Sequence, residues 1–187
     1  MDLILFQPGD PTFMAGNAPN SAGNLLLDTA TGAAMPTPGS CIELISLHQG
    51  MKQQITTDVC NGTRSSSRPV ITEFTCVKYV DQNSVKLYDY CLRAQALGTG
   101  KKQPSMLYIL RNSGDATTNI ITMALRDAIV SEIQFQSHPD DMPTEQFKLN
   151  FTEILWTYHT QTAADSESKV SAGWSLARNQ PIEKFTD

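Results

Sequence analysis

The sequence lacks clusters of basic residues. Its 187 residues include 14 lysines and arginines against 19 aspartates and glutamates, which gives a formal net charge of -5. Nucleic-acid binding needs Lys and Arg grouped on one surface, because contacts to phosphate supply much of the affinity. The basic residues are instead scattered along the chain, so the composition argues against a nucleic-acid partner.

Long apolar runs are also missing. No window approaches the roughly 18 apolar residues that a membrane-spanning helix needs. The first segment, Met1 to Phe6, is apolar for only a few residues and carries Asp2 where a signal peptide has basic residues. We therefore expect no membrane insertion, synthesis in the cytoplasm, and export only by a route that needs no cleaved leader.

The cysteine pattern matches no metal or redox motif. Cys41, Cys60, Cys76 and Cys91 are widely spaced, form no C-x-x-C pair and have no histidines nearby. This argues against a zinc site and favours free thiols. The even count leaves disulfides after export open as an alternative.

Catalytic signatures are absent too. The sequence has no nucleophile elbow, no H-E-x-x-H helix, no Walker loop and no dinucleotide-binding glycine pattern. His138, Asp140 and Asp141 lie in a proline-containing turn without a second ligand cluster, so a solvated turn is favoured over a metal site. We predict no catalytic residue, no bound metal and no cofactor, and therefore a protein that is not an enzyme.

What the sequence does contain is a series of short β-type segments separated by turns. We predict strands at 3–6, 41–47, 51–57, 70–80, 105–111 and 119–135, followed by a final pair. Leu87, Cys91 and Ala94 recur at helical spacing, with Ser84 as the cap and Gly98 as the stop, which predicts one helix over 84–97. The order predicts a mainly β fold, a compact antiparallel β-barrel of two packed sheets with one flanking helix.

Two segments are predicted as long loops of this single domain, which spans 1–187. Residues 9–39 are rich in Gly, Pro and Asn, with Leu25 to Leu27 as their one apolar cluster, and we predict an exposed insertion or arm there. Residues 57–69 are polar, contain the turn signal Asn61-Gly62 and end at Pro69. They predict a long protruding loop.

The last strand pair has apolar residues of both parities. The two sets are Phe147, Leu149 and Phe151, and then Ile154, Trp156 and Tyr158. Either a bulge near Thr152 resets the register, or the strand has one face in the core and the other against a second subunit. The second explanation points to an assembly protein. Trp156, Tyr158 and Trp174 are accordingly predicted as core or subunit-interface aromatics.

Several ordered motifs lie at compatible spacing between about Cys41 and Asn179. They are Phe74-Thr-Cys-Val-Lys-Tyr-Val-Asp81 with Ser84, Lys86-Leu87 and Tyr90-Cys91, then Asn150-Phe-Thr-Glu-Ile-Leu-Trp-Thr-Tyr158, and Gly173-Trp-Ser-Leu176 with Asn179. Together they resemble the motifs of the haemolysin-coregulated protein (Hcp) family, the inner-tube proteins of the bacterial type VI secretion system. The 9–39 segment is longer than the family pattern.

The resemblance implies a β-barrel whose six copies form a ring, and rings that stack into a hollow tube inside a contractile sheath. The tube would be cytoplasmic before firing and then secreted with a spike at its tip, carrying effector proteins in its lumen. His48 is the candidate for a lumen residue that contacts this cargo. Ring stacking is assigned to the 57–69 loop, with Asp58, Val59, Asn61, Thr63, Arg64, Ser66 and Arg68 as candidates.

Two alternatives stay open from the residues alone. One is a phage-type tail-tube protein, since tubes of both kinds share the barrel plan. The other is a monomeric ligand-binding β-barrel of lipocalin type. A measurement of mass in solution separates them, because a hexamer favours the tube and a monomer with an internal apolar cavity favours the binder.

Overall fold

The computed structural model describes residues 2–14, 35–37, 39–57, 64–112, 117–159 and 169–186, with only the backbone described for 57 and 64–66. Within these ranges the chain forms strands and one helix, α1 (Ser84–Leu92). The strands of the first half are β1 (Asp2–Gln7), β2 (Ile42–Leu44), β3 (Ser46–His48), β4 (Met51–Lys52), β5 (Ile55–Thr57), β6 (Arg64–Ser66), β7 (Val70–Ile71) and β8 (Phe74–Tyr79). The strands of the second half are β9 (Ser105–Asn112), β10 (Thr117–Arg126), β11 (Ile129–Gln136), β12 (Thr144–Asn150), β13 (Glu153–His159), β14 (Lys169–Ser175) and β15 (Gln180–Pro181).

Two antiparallel sheets form the body of the protein. Sheet I has the strand order β15-β14-β13-β10-β9-β1-β2, and sheet II has the order β11-β12-β8-β3. Their inner faces enclose one apolar core, to which sheet I contributes Phe6, Leu107 and Ile154 and sheet II contributes Phe74 and Phe147. The predicted mainly β fold with two packed sheets and a helix is confirmed, although strand pairing among the described residues does not join the sheets into a closed barrel.

The chain crosses between the sheets in places where the sequence pattern predicted continuous strands. The predicted 119–135 strand is two strands, β10 in sheet I and β11 in sheet II, with Asp127 at a φ of 50° between them. The chain crosses again at Thr152, whose amide donates to the Arg126 carbonyl at 3.1 Å. Because β12 and β13 lie in facing sheets, Phe147 and Ile154 both reach the same core despite their opposite parity. The explanation of one strand buried on both faces was therefore wrong.

Helix α1 is shorter than predicted and begins differently. It ends at Leu92, and Ala94 then adopts a φ of 50°, so residues 95–97 turn away and Ala96 bridges to Ile129 of β11. The cap residue is Asn83 without a side-chain cap bond, so the prediction of Ser84 as the cap was wrong. The Asp81 carboxylate instead accepts a hydrogen bond from the Asn83 amide at 2.8 Å.

The described ends of the predicted 9–39 arm are packed. Phe13 is buried, meets the Tyr90 ring edge-on at 5.0 Å between centroids, and accepts a hydrogen bond from Lys86 at its carbonyl. On the outer face of sheet I, Met35 packs beside a second apolar cluster that includes Cys41. Leu25 to Leu27 lie outside the described residues, so the arm and the single-domain boundary stay predictions. No described helix has the length and apolar character to span a membrane.

Candidate assembly surfaces

A two-stranded ribbon continues the β3–β8 pair beyond the end of sheet II. In the ribbon β4 pairs with β7 and β5 pairs with β6. Two further backbone hydrogen bonds hold the ribbon in place. The Thr72 amide donates to the Gly50 carbonyl at 2.9 Å, where the ribbon leaves sheet II, and the Ser67 amide donates to the Gln54 carbonyl at 3.1 Å, between the two strands of the ribbon. We call residues 49–57 and 64–71 the ribbon, the end of sheet II from which it leaves the proximal rim, and the opposite end the distal rim.

The ribbon exposes apolar and basic side chains. Met51, Ile55 and Val70 are each 60% to 62% exposed, and the lysine at 52 is exposed beside them. A ribbon of two strands is marginally stable by itself in water. Exposed apolar groups on such an element favour a contact with another protein surface.

The predicted stacking residues fall in three groups. Asp58, Val59, Asn61 and Thr63 lie outside the described residues. Arg64 and Ser66 belong to β6, which corrects the prediction that 57–69 is entirely loop: backbone pairing with Thr57 and Ile55 outweighs the polar composition. Arg68 donates a guanidinium hydrogen bond to the Leu176 carbonyl of its own chain, so it ties the ribbon to sheet I.

The distal rim carries exposed apolar and acidic residues. Tyr79, Phe135 and Met142 are 51% to 61% exposed. The Val80 amide donates to the Pro143 carbonyl at 3.0 Å, which holds the 137–143 turn against the end of β8. The exposed Asp140 and Asp141 stand in that turn. The sequence predicts Tyr79 in a strand and the aspartates in a solvated turn, but it does not predict that they are neighbours. Their proximity depends on the pairing of β8 with β12, which is a tertiary feature.

A buried charged network fixes α1 on sheet II. Lys78 and Glu145 are each 1% exposed, and the Lys78 Nζ donates to a Glu145 oxygen at 2.8 Å. The Ser84 hydroxyl donates to the same oxygen at 2.8 Å and the Tyr88 hydroxyl donates to the other at 2.6 Å. Burial, and then the hydrogen bond to Glu145, raise the pKa of Tyr88 to about 12. The network explains why charged residues on the inner face of sheet II are tolerated.

The outer face of sheet II is polar. One row across it runs from His48 to Thr75, Lys148 and Glu132. The Lys148 ammonium donates to Glu132 at 2.5 Å, which lowers the pKa of Glu132 and raises that of Lys148. His48 is exposed at the edge of this face. Its predicted role in the lumen is not tested by this geometry, but its neighbours are polar.

The three predicted aromatics all lie on the inner face of sheet I. Trp156 and Trp174 are half-buried against the main core, whereas Tyr158 is 50% exposed. Tyr158 belongs to a row of directly paired residues that sheet II covers only in part: Ile4, Ile109, Ile121, Tyr158 and Val170, which we call the apolar row. Their role at a subunit interface stays a prediction.

Changing Trp156 to Ala is expected to lower the free energy of unfolding by about 3 kcal/mol, because the indole packs against the core and its removal leaves a cavity. Urea unfolding at fixed protein concentration measures the effect. Val170 to Ala is the matched control, since Val170 is largely exposed. A Trp156 variant as stable as this control would place the indole outside the core.

These surfaces are of the kind that proteins bury in contacts with other proteins. Among the described residues, no group of His, Cys, Asp and Glu side chains is arranged to hold a metal ion. The extended surfaces are instead a projecting ribbon, an apolar and acidic rim, and a flat polar sheet face. A two-sheet β domain with exposed surfaces of this kind is typical of structural proteins that act through contacts with other proteins.

Comparisons with known proteins identify the family. Residues 39–158, more than half of the chain, match the family described as "Type VI secretion system effector, Hcp". Comparison with curated proteins gives no significant match. The chain belongs to the Hcp family, the secreted tube proteins of the type VI secretion system, which are structural and not enzymatic.

Solved structures show the same fold at low identity. One, described as a type six secretion system protein, is 18% identical, with a TM-score of 0.72 over 97% of this chain and 100% of the other. Hcp1 from Salmonella typhimurium is 16% identical, with a TM-score of 0.64 over 97% and 99%. The secreted protein Hcp3 from Pseudomonas aeruginosa is 15% identical, with a TM-score of 0.54 over 91% and 97%.

Proposed function

We propose that six copies of this chain form a ring, that rings stack head to tail into a hollow tube, and that the tube is exported with effector proteins in its lumen. Its partners are other copies of the chain, the sheath, the spike and the effectors. The subunits are cytoplasmic before firing and are then secreted with the tube. Family membership supports the tube, and the ribbon is the observation that carries the stacking.

The ribbon supports head-to-tail stacking because it leaves the domain at one rim only. A head-to-tail contact joins two different surfaces, and repeating it along an axis generates an open filament. The exposed Met51, Ile55 and Val70 give the ribbon the apolar area that such a contact buries. Pairing with β7 and β6 holds the ribbon extended, which lowers the ordering cost of docking.

The polar outer face of sheet II is the surface that we assign to the lumen. The outer face of sheet I carries the buried Leu3, Leu5 and Leu110, so much of it is covered and unsuited to line a water-filled channel. Sheet II offers Thr75, Lys148 and their neighbours instead. A wall of hydrogen-bonding groups contacts folded proteins weakly and reversibly, as release of cargo requires.

The test of the proposal is the assembled state of the purified protein. Native mass spectrometry is expected to show a hexamer, and electron microscopy to show hollow tubes at high protein concentration. A monomer at micromolar concentration in both measurements would contradict the proposal and favour the ligand-binding barrel. Light scattering across a dilution series supplies the ring dissociation constant.

The lumen assignment of His48 has its own test. In a Cys60 to Ser, Cys91 to Ser background, His48 to Cys is expected to react with a small maleimide in assembled tubes but not with a maleimide on a long polymer. The same variant as unassembled subunits is the control and should react with both, because position 48 is exposed. Equal labelling of tubes by the polymer reagent would place position 48 outside the lumen.

A further inference from the structure

The distal rim is the surface of the domain whose chemistry complements the ribbon. We infer that in the stacked tube the ribbon of one copy docks on the distal rim of a copy in the next ring, with Tyr79 and Met142 as the apolar floor and Asp140 and Asp141 as the charged border. Phe135 is not part of this floor, because it lies on the opposite face of sheet II from Tyr79. This inference rests on the stacking proposed above and names the partner surface of the ribbon.

The charges of the two surfaces are opposite. The ribbon residues whose side chains the structure describes include Lys52 and Arg68 and no acid. Residues 137–143 of the distal rim carry two exposed aspartates and no lysine or arginine. Lys78 directly precedes Tyr79 in β8, but it is 1% exposed and bound to Glu145. It therefore adds no positive charge to the surface of the distal rim. Complementary charge fixes the register of a contact and speeds its formation.

Lys52 is the ribbon cation best placed for this contact. Arg68 is already engaged with the Leu176 carbonyl of its own chain. Lys52 is exposed and pairs across the ribbon with Val70, one of the exposed apolar residues. The ribbon therefore presents a cation next to apolar groups, and the distal rim presents carboxylates next to apolar groups.

Both surfaces also match in apolar character and in position. Each exposes large apolar side chains by half or more, which are Met51, Ile55 and Val70 on the ribbon and Tyr79 and Met142 on the distal rim. The ribbon extends from the proximal rim, where β8 begins, and the receptor lies where β8 ends, so copies that follow one another along the strand direction bring the two together. In a ring of six copies each ring-to-ring contact repeats the pair six times, which amplifies the effect of one charge.

The test uses two single charge reversals and their mixture. Lys52→Glu rings keep a normal distal rim, and Asp141→Lys rings keep a normal ribbon. Electron microscopy is expected to show rings but no tubes for each variant alone, because like charges then face each other at every contact. Tubes are expected from the mixture, because alternating rings pair the reversed ribbon with the reversed rim and the normal ribbon with the normal rim. Arg93→Glu and Asp89→Lys are the matched controls, because each reverses one charge of an exposed pair at the C-terminal end of α1. Each of these variants should form tubes without being mixed with the other.

The remaining outcomes would contradict either the inference or the proposed function. Normal tubes from Asp141→Lys rings, or no tubes from the mixture, would show that the ribbon docks elsewhere. Loss of tubes in Tyr158→Lys rings, with the distal-rim variant unaffected, would identify the apolar row as the receptor. Absence of rings or tubes from the unmodified protein would instead contradict the proposed function itself.

Discussion

Replacing Glu145 with Ala is expected to lower the free energy of unfolding by about 3 kcal/mol, because it removes the buried counter-charge of the Lys78 ammonium and leaves only the partly exposed Asp81 carboxylate, at 3.0 Å, as its ion-pair partner. Lys78 and Glu145 are both almost fully buried, and the Ser84 and Tyr88 hydroxyls donate to the same carboxylate. The substitution therefore removes one acceptor from three donors at once. Urea unfolding at fixed protein concentration measures the loss, and helix α1 should be the first element to lose amide protection.

Replacing both members of the charged pair is expected to cost less stability than removing one of them. A double change of Lys78 to Met and Glu145 to Leu fills the same space with apolar groups, and it is expected to recover most of the stability that the single change removes. Glu132 to Ala is the matched control, because Glu132 pairs with Lys148 on the exposed outer face and its loss should change stability little. A single Glu145 variant no less stable than this control would mean that the network does not hold α1 on sheet II.

Shortening the ribbon is expected to abolish tube assembly and secretion together while leaving the ring intact. The variant replaces residues 53–69 with a tight turn and keeps the pairing of Met51 with Ile71. Because the described side chains of the replaced segment are exposed, apart from the half-buried Pro69, and the core lies between the two sheets, the free energy of unfolding should change little. The hydrogen bond from Arg68 to Leu176 is lost, but it lies at an exposed site.

Three measurements decide this prediction. Native mass spectrometry counts subunits, electron microscopy detects tubes, and a secretion assay follows the protein outside the cell. The matched control is a conservative variant in which Ser67 is changed to Thr, which keeps the ribbon and should assemble normally. Intact rings with normal secretion would refute the stacking role, and loss of the ring itself would move the ribbon to the interface within a ring.

The strand segments and the helix could be predicted from local patterns, but the division into two sheets could not. Alternation marks which residues of a strand share a face, and it does not mark the sheet to which the strand belongs. At 127–128 and at 151–152 the chain changes sheet with two residues between the strands, so no long loop signals the crossing. The opposite parity of Phe147 and Ile154 therefore favours an outer interface as one explanation in the sequence. In the structure both residues lie in one core.

The surfaces could be predicted in part. Residues 57–69 were recognised as a projection, but pairing of β5 with β6 depends on cross-strand hydrogen bonds that a polar composition does not indicate. Lys78 shares parity with the buried Phe74 and Cys76, and Glu145 shares it with Phe147. That shared parity was the available signal for a buried ion pair. Phe13 offered no periodic signal, because a single aromatic in a turn-rich segment has no neighbours with which to form a pattern.

The strand order of sheet I also bears on how fast the protein can reach its assembling form. Strand β1 pairs with β2 and β9, so one of its two edges stays unpaired until β9, from beyond α1, folds against it. Contacts between residues far apart in sequence make loop closure slow, and two-sheet β proteins fold in milliseconds to seconds. An apolar strand with an open edge during that interval invites association with other chains. If the proposed ring forms, we therefore expect its rate of formation at high subunit concentration to be limited by strand pairing within each chain, and not by encounters between folded subunits.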